Sequence, residues 1–264
     1  MKILKSILIT VLLITFEVII LIAISELTRK HVPTEYLIHY FSLIHIVPRI
    51  ITFIIVIKIF KIRFDWKNEK NKLRNIKPNI IFNLLILTLG FELFDRPFFD
   101  FNKIVDFING IEIEPYVQHE KSFISIIYSG ISVLIIAPMF EELIFRKYIY
   151  TELLKKYSSN LSIFISSILF SLMHLPSYSN LIPTFILGII CCIIYRKTMN
   201  IFYTIILHFF ANLSWLILVN YGEIFYKWSF GLEYNLIYWV MSGIGITLIL
   251  LGMKKITTAN TVQN

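Results

Sequence analysis

Three ionisable residues interrupt an otherwise apolar stretch at 140–146, which reads FEELIFR. Glu142 and Arg146 are four residues apart, so a helix places them on one face, where they can form a buried ion pair that orients the helix. Glu141 is turned about 100° from Glu142 around the same axis. The spacing therefore predicts one glutamate that has a partner and one that is free for proton transfer.

Polar residues recur in two later apolar stretches, FSLMH, which ends at His174, and HFFAN, which begins at His208. His208 and Asn212 are again four residues apart, on one helical face. At a rise of about 1.5 Å per residue, Glu141 and His174 lie about 21 Å from the polar turns that bound their helices, and His208 and Asn212 lie about 16 and 22 Å from theirs. The sequence thus predicts that three helices bring these four side chains to one depth.

A carboxylate, two imidazoles and an amide at one depth favour the hydrolysis of a peptide bond. In this interpretation Glu141 and His174 together remove a proton from a water molecule that attacks a peptide carbonyl. His208 and Asn212 donate hydrogen bonds to the oxyanion that forms. The ion pair described above holds the frame of the site.

An alternative interpretation is that Glu141, His174 and His208 bind Zn²⁺, which lowers the pKa of a bound water molecule. Two histidines and a glutamate are a known set of ligands in catalytic zinc sites. However, the sequence has no HExxH motif, and asparagine is a rare zinc ligand. We therefore favour the metal-free interpretation.

Other ionisable residues inside apolar stretches are isolated, and no motif surrounds them. We expect Glu17, Arg49 and Glu92 to pair with one another or to reach the polar headgroups, in a structural role. His39 and His45 lie near the second apolar stretch. A single intramembrane His or Glu is often only a polar contact between helices, so these five residues carry no functional prediction.

The helices that position these residues follow from the composition. Of the 264 residues 57% are hydrophobic and only 16% are charged, which is typical of a membrane protein. An apolar run needs about 20 residues to cross the hydrocarbon core. We therefore predict an all-α, polytopic integral membrane protein with about eight transmembrane helices, near 6–27, 38–60, 79–95, 127–152, 160–175, 181–195, 200–219 and 234–253.

The charged loops predict the orientation. Most of the 25 Lys and Arg residues fall in five short segments that lie on one side if there are eight spans. The loops on the other side are mainly acidic, with Asp95, Asp100, Asp106, Glu112, Glu114, Glu120, Glu223 and Glu233. By the positive-inside rule both termini are cytoplasmic and the protein lies in the cell membrane, in contact with its lipids. The net charge of +8 is thus assigned to topology and not to nucleic-acid binding.

The domain organisation is predicted to be simple. Residues 1–264 contain no linker rich in Ser, Pro or Gly, so we expect one integral membrane domain with a polar tail at 255–264. The first apolar stretch follows MKILK like a signal peptide, but it is long and lacks a cleavage site, so we expect it to remain as the first helix. Adjacent Cys191 and Cys192 are predicted to be packing residues.

Three motifs resemble those of a known family, and they lie in a core at 124–220. The pattern Glu-Glu-x-x-x-Arg starting at Glu141, Phe-x-x-x-His ending at His174 and His-x-x-x-Asn starting at His208 is similar to the signature of the CPBP family. This family comprises CAAX proteases and bacteriocin-processing membrane endopeptidases, is also called the abortive-infection family, and includes the Ras-converting CAAX endoprotease. The resemblance implies eight helices around a polar catalytic cavity that opens to the cytoplasmic side.

The resemblance also implies the roles already assigned to the four polar residues, and it narrows the class of substrate. We expect a membrane-associated peptide or a lipidated protein to be cleaved, either at a CAAX-type site or in the processing of bacteriocins or peptide signals, with self-immunity as a related role. The alternative is a non-catalytic membrane immunity or peptide-binding protein. A proton-coupled transporter is less favoured, since the sequence shows no inverted repeat.

Overall fold

The regular elements of the described residues are all helices, as a computed structural model of the chain shows. The structure describes residues 1–31, 43–44, 46–112 and 122–258. The helices are α1 (Ile3–His31), α2 (Val47–Ile59), α3 (Trp66–Arg74), α4 (Pro78–Phe99), α5 (Phe101–Ile108), α6 (Phe123–Leu154), α7 (Ser159–Leu172), α8 (Leu181–Thr198), α9 (Ile201–Tyr221), α10 (Glu223–Phe230) and α11 (Leu236–Thr258). Outside the described residues lie His39, His45, Glu114, Glu120 and residues 259–264 of the predicted tail.

Six segments of the described chain are long and apolar enough to cross a membrane. They contain α1, α4, α6, α8, α9 and α11. The remaining two predicted stretches correspond to shorter apolar helices, α2 with 13 residues and α7 with 14. The prediction of an all-helical, multi-pass membrane protein is confirmed, whereas the number of eight spans stays a prediction.

The fifth apolar stretch ends earlier than predicted. The predicted span reaches residue 175, but α7 ends at Leu172, and the amides of Met173 and His174 bond three residues back in a tightened turn. Pro176 explains the ending, because the residue before a proline is disfavoured in the helical conformation. His174 therefore lies on the turn after the helix and not within it.

The helix α6 is not a regular α-helix. Two stretches, Ile131–Ile136 and Leu143–Tyr150, adopt the wider π-helical register. The α-helical turns of Ala137–Glu142 lie between them and carry both glutamates. Such π-helical segments are rare in proteins overall, but those that occur are often found at functional sites.

Four of the five basic segments meet at one end of the bundle, as their contacts show. The Met1 amino group donates to the Glu152 carbonyl at 2.7 Å, and Lys147 forms an ion pair with the buried Glu69 of α3 at 2.6 Å. Arg196 donates to the Ser159 hydroxyl at 2.8 Å. These segments therefore lie on one side, as the charge pattern predicts, and the assignment of that side to the cytoplasm stays a prediction.

The two largest of three apolar clusters form most of the interior of the bundle. In the first, residues of α4, α8, α9 and α11 pack together around Leu87, Cys191 and Leu207. In the second, α1, α2, α6 and α7 pack around Phe53 and Phe170. The predicted packing role of Cys191 and Cys192 is confirmed, because both are free and completely buried.

A close contact between α4 and α11 depends on glycine. A Cβ atom at Gly245 would lie 2.6 Å from both the Gly90 carbonyl oxygen and the Phe94 amide nitrogen, well inside van der Waals contact. Gly243, two residues earlier on the same helix, has open space at its Cβ position. The two glycines therefore form a matched pair for a test of packing.

We predict that Gly245→Ala lowers the free energy of unfolding by about 1–3 kcal/mol, because the two helices must move apart. Gly243→Ala should leave stability unchanged or raise it slightly, since alanine favours helix more than glycine does. Thermal unfolding of both variants in detergent, followed by circular dichroism, measures the difference. Equal melting temperatures for the two variants would contradict the close contact.

Candidate active site

A completely buried ion pair lies at the centre of the site. The Arg146 Nη1 atom is 3.0 Å from Glu142 Oε1, and both side chains have no exposed surface. The predicted pairing is therefore observed. The same Glu142 oxygen is also 3.0 Å from His208 Nδ1 of α9. Because a carboxylate only accepts hydrogen bonds, Nδ1 carries a proton in this contact and leaves Nε2 for the opposite side.

The second nitrogen of His208 faces the other glutamate. His208 Nε2 lies 3.9 Å from Glu141 Oε2, and both side chains are nearly buried. His208 thus lies between the two adjacent glutamates, with one carboxylate on each ring nitrogen. The sequence did not indicate these contacts, because they join residues of two different helices, with Glu142 and His208 66 residues apart in the chain.

The aromatic ring of Phe170 touches three members of the site. Its centroid is 4.0 Å from the Arg146 guanidinium carbon, 5.0 Å from the centroid of His174 and 5.6 Å from that of His208. The contact with Arg146 is a cation–π interaction, and the two histidine rings stand edge to face on it. Phe170, the first residue of the Phe-x-x-x-His motif, therefore packs against the site itself.

His174 is oriented by the helix that precedes it. Its Nδ1 atom lies 3.1 Å from the Phe170 carbonyl oxygen, which can only accept a hydrogen bond. The proton of the neutral ring is therefore on Nδ1, and Nε2 has a free lone pair. This tautomer suits a group that accepts a hydrogen bond or a proton.

Asn212 is held by a backbone carbonyl that the irregular helix α6 leaves without a partner. In the π-helical register the Ala137 amide bonds to the Ser132 carbonyl, five residues back. The next donor would bond to the Val133 carbonyl, but it is Pro138, which has no N–H group. Asn212 Nδ2 donates to this carbonyl at 2.5 Å. One N–H of the amide is thereby engaged, and the other remains available.

A single cavity of about 230 Å³ brings the predicted residues together. Glu141, His174, His208 and Asn212 all line it. These are the four residues that the helical rise predicts at one depth. The lining extends from them toward the ends of α4 and α7 that lie away from the basic segments. The predicted opening to the cytoplasmic side stays a prediction.

Three ionisable residues that carried no functional prediction also line this cavity: Arg49, Glu92 and Asp95. Arg49 pairs with Glu17 at 3.1 Å, in agreement with the expected structural pairing. Glu92 and Asp95, in contrast, form an acidic wall on α4. The prediction that Asp95 lies in a loop is wrong, because the helix continues to Phe99 and buries this residue. Their sequence neighbourhood resembles no catalytic motif, and only the packing of α4 against the site reveals their position.

The described residues do not fit the zinc interpretation. No group of three or more His, Cys, Asp or Glu side chains among them is arranged to hold a metal ion. His208 uses Nδ1 for Glu142, and its Nε2 faces a single carboxylate.

The buried ion pair gives a prediction on stability. We expect Arg146→Gln to lower the free energy of unfolding by about 3–5 kcal/mol, because it leaves the Glu142 carboxylate buried without its cation. Lys155→Gln removes the cation of the exposed Lys155–Glu152 pair and should cost less than about 1 kcal/mol. Thermal unfolding in detergent measures both, and similar losses for the two variants would contradict the central role of the buried pair.

Comparisons with known proteins agree with the three motifs. Residues 123–214 match the family model described as type II CAAX prenyl endopeptidase Rce1-like. The curated protein UPF0177 protein YxdF of Lactococcus lactis subsp. lactis (strain IL1403) is 38% identical over 79 residues, which cover 30% of this chain and 43% of that relative. No solved structure matches the chain.

The matched segment contains all seven residues of the motif pattern from Glu141 to Asn212. It also contains the π-helical helix α6, which carries Glu141 and Glu142, and most of α9, which carries His208. The predicted resemblance is therefore confirmed over residues 123–214, which match the Rce1-like family model.

Proposed function

We propose that this chain is an intramembrane endopeptidase that hydrolyses a peptide bond by activating a water molecule without a metal. The observation that carries the proposal is the convergence of Glu141, His174, His208 and Asn212 on one cavity. Acceptors and donors line the same cavity, as hydrolysis of an amide requires.

Activation of the water is assigned to Glu141 and His174. The Glu141 carboxylate accepts one proton of the water as its oxygen attacks the carbonyl carbon. The free Nε2 of His174 accepts a hydrogen bond from the second proton and so fixes the direction of attack. The bond from His174 Nδ1 to the Phe170 carbonyl keeps the ring in the tautomer that this role requires.

Stabilisation of the oxyanion is assigned to His208 and Asn212. His208 must donate from Nε2, because Nδ1 already donates to Glu142. Donation from both ring nitrogens requires the protonated ring, whose nitrogens lie 3.0 Å from Glu142 and 3.9 Å from Glu141. The second N–H of Asn212 supplies the other hydrogen bond to the oxyanion. The charge that develops on the substrate is thus met by donors that are already oriented.

The proton balance closes in the second half of the reaction. The tetrahedral intermediate collapses, and the C–N bond breaks. Glu141 gives the proton that it took from the water to the leaving amine. The water oxygen remains in the new carboxyl group, and Glu141 returns to its ionised form.

The substrate that we propose is a membrane-associated peptide or a lipidated protein, because the cavity lies among membrane-spanning helices. The enzyme would work in the cell membrane with both termini in the cytoplasm, as the loop charges predict. Processing of a bacteriocin or a peptide signal, or immunity to such a peptide, would be the biological setting. The family model supports the reaction class.

The first test of this proposal concerns Glu141. We expect Glu141→Gln to lower the rate of cleavage of a pool of membrane-associated peptides in proteoliposomes by about 10²–10⁴, because a general base contributes this much. His174→Ala should also lower the rate. Products are identified by mass spectrometry, and bound zinc is measured in the same preparations.

The control is Glu152→Gln, which removes the same charge at the basic end of α6 and outside the cavity. It should cleave at the wild-type rate. Cleavage by Glu141→Gln at the wild-type rate would contradict the assignment, and activity that follows stoichiometric zinc would return His174 and His208 to the role of ligands. If the wild-type protein and the variants all bind the peptides and none cleaves them, the alternative of a non-catalytic immunity or peptide-binding protein is favoured.

A second test separates oxyanion stabilisation from packing. We expect Asn212→Ala to lower kcat by about 10²–10³ with little change in KM, since the lost hydrogen bond acts mainly in the transition state. Asn220→Ala is the matched control, because Asn220 of the same helix also donates to a carbonyl, that of Leu216 at 2.7 Å, outside the cavity. A similar loss of kcat in both variants would assign Asn212 to packing.

A further inference from the structure

The wall of the cavity on α4 has a distinct character. Phe91, Glu92, Asp95 and Phe99 line it from one side, spaced so that they fall along one face of the helix. Trp215 of α9 lines the same cavity. The wall therefore combines two carboxylates with three aromatic rings.

The Asp95 carboxylate has no partner in the described part of the chain. The residue is only 5% exposed and lines the cavity. It accepts no hydrogen bond from another residue and forms no ion pair among the described residues, and the charge of Arg96, which pairs with Asp100, acts on it only at a distance. A buried carboxylate without a partner is costly, and a proton or a cationic ligand removes this cost.

The cation nearest in sequence is committed elsewhere. Arg96 forms an ion pair with Asp100 at 2.5 Å, and its guanidinium carbon lies 4.8 Å from the centre of the Tyr226 ring. The Tyr238 hydroxyl also donates to Asp100, at 2.8 Å. Arg96 is thus held on the side of Asp100 and leaves Asp95 facing the cavity.

Arg49, the cation that lines the cavity, does not neutralise Glu92 and Asp95 either. Arg49 lines the cavity, but its Nε atom is 3.1 Å from a Glu17 carboxylate oxygen. That pair is neutral as a whole. Glu92 and Asp95 therefore make this wall acidic, while the cation that lines the cavity is already engaged by Glu17.

We propose that Glu92 and Asp95 form a subsite for a positively charged side chain, lysine or arginine, of the peptide substrate. The carboxylates bind the charged head, and the aromatic rings pack on its methylene stem and face the cation. The inference rests on the proposed function, since it identifies the occupant with the molecule that is cleaved. It deepens that function by assigning a cationic residue to the substrate near the scissile bond.

The position of the wall supports this choice of occupant. Asp95 and Glu141 line one cavity of about 230 Å³ and not two separate ones. A group that binds at Asp95 therefore belongs to the molecule whose peptide bond lies beside Glu141. A cationic side chain within a few residues of the bond meets this condition.

The test measures binding, so that it does not depend on catalysis. Glu141→Gln protein is placed in nanodiscs of zwitterionic phosphatidylcholine, which do not attract cations. The probes are N-acylated fluorescent peptides in pairs that differ at one position, lysine or the uncharged norleucine, with this position moved along the peptide. We expect at least one position at which lysine lowers Kd at least tenfold relative to norleucine.

Two variants and one control locate the preference. Asp95→Asn or Glu92→Gln, added to Glu141→Gln, should reduce the preference for lysine at least tenfold and leave the affinity for norleucine peptides unchanged. Asp106→Asn, which removes an acid from α5 outside the cavity, should keep the preference. Thermal unfolding shows whether each variant is folded, and the two separate acid variants guard against the misfolding of one.

The outcomes separate this inference from the proposed function. Equal affinity for lysine and norleucine peptides at every position would overturn the subsite, as would a preference that survives both Asp95→Asn and Glu92→Gln. A preference for lysine that depends on these acids supports the subsite whether or not the unmodified protein cleaves the peptide. The proposed function fails instead when protein with Glu141 intact binds such peptides and leaves them uncut.

Discussion

The buried ion pair between Glu142 and Arg146 is the interaction on which the arrangement of the site depends. Placing two charges in a bundle interior costs free energy that the pair itself barely recovers. Its value lies in position: Glu142 also accepts from His208, and Arg146 rests on the ring of Phe170, which in turn contacts both histidines. One salt bridge thereby connects α6, α7 and α9.

The π-helical register of α6 positions the Asn212 side chain, as the ion pair positions His208. A regular α-helix would use the Val133 carbonyl for the Ala137 amide, and Asn212 would have to share that oxygen with a backbone donor. The π-helical turn shifts that bond by one residue, and Pro138 then leaves the carbonyl open. The helix lacks one backbone hydrogen bond at this carbonyl, and the Asn212 side chain supplies it instead. The same bond fixes the orientation of the amide group. The irregular register of the helix therefore sets the position of a proposed donor to the oxyanion.

The sequence predicts what depends on local periodicity. The four-residue spacing predicted the pair Glu142–Arg146, because residues four apart lie on one face of a helix. The rise per residue predicted the common depth of the four polar residues. Contacts between helices have no such rule, so the bond from His208 to Glu142 and the acidic wall at Asp95 were not predictable. Pro176 is the sequence signal for the early end of α7. The prediction missed it because the apolar run continues to the residue before the proline.

Charge balance connects the catalytic layer to the wall opposite. In the proposed protonation state the ionised groups of the cavity and its walls neutralise each other two by two: Glu142 with Arg146, Glu141 with His208, Glu17 with Arg49, and Asp100 with Arg96. Glu92 and Asp95 are left over. In a medium of low dielectric constant such an excess persists only as bound protons or as a site for a cation. A substrate that brings the missing charge would therefore complete the electrostatics of the site at the moment when its peptide bond reaches Glu141.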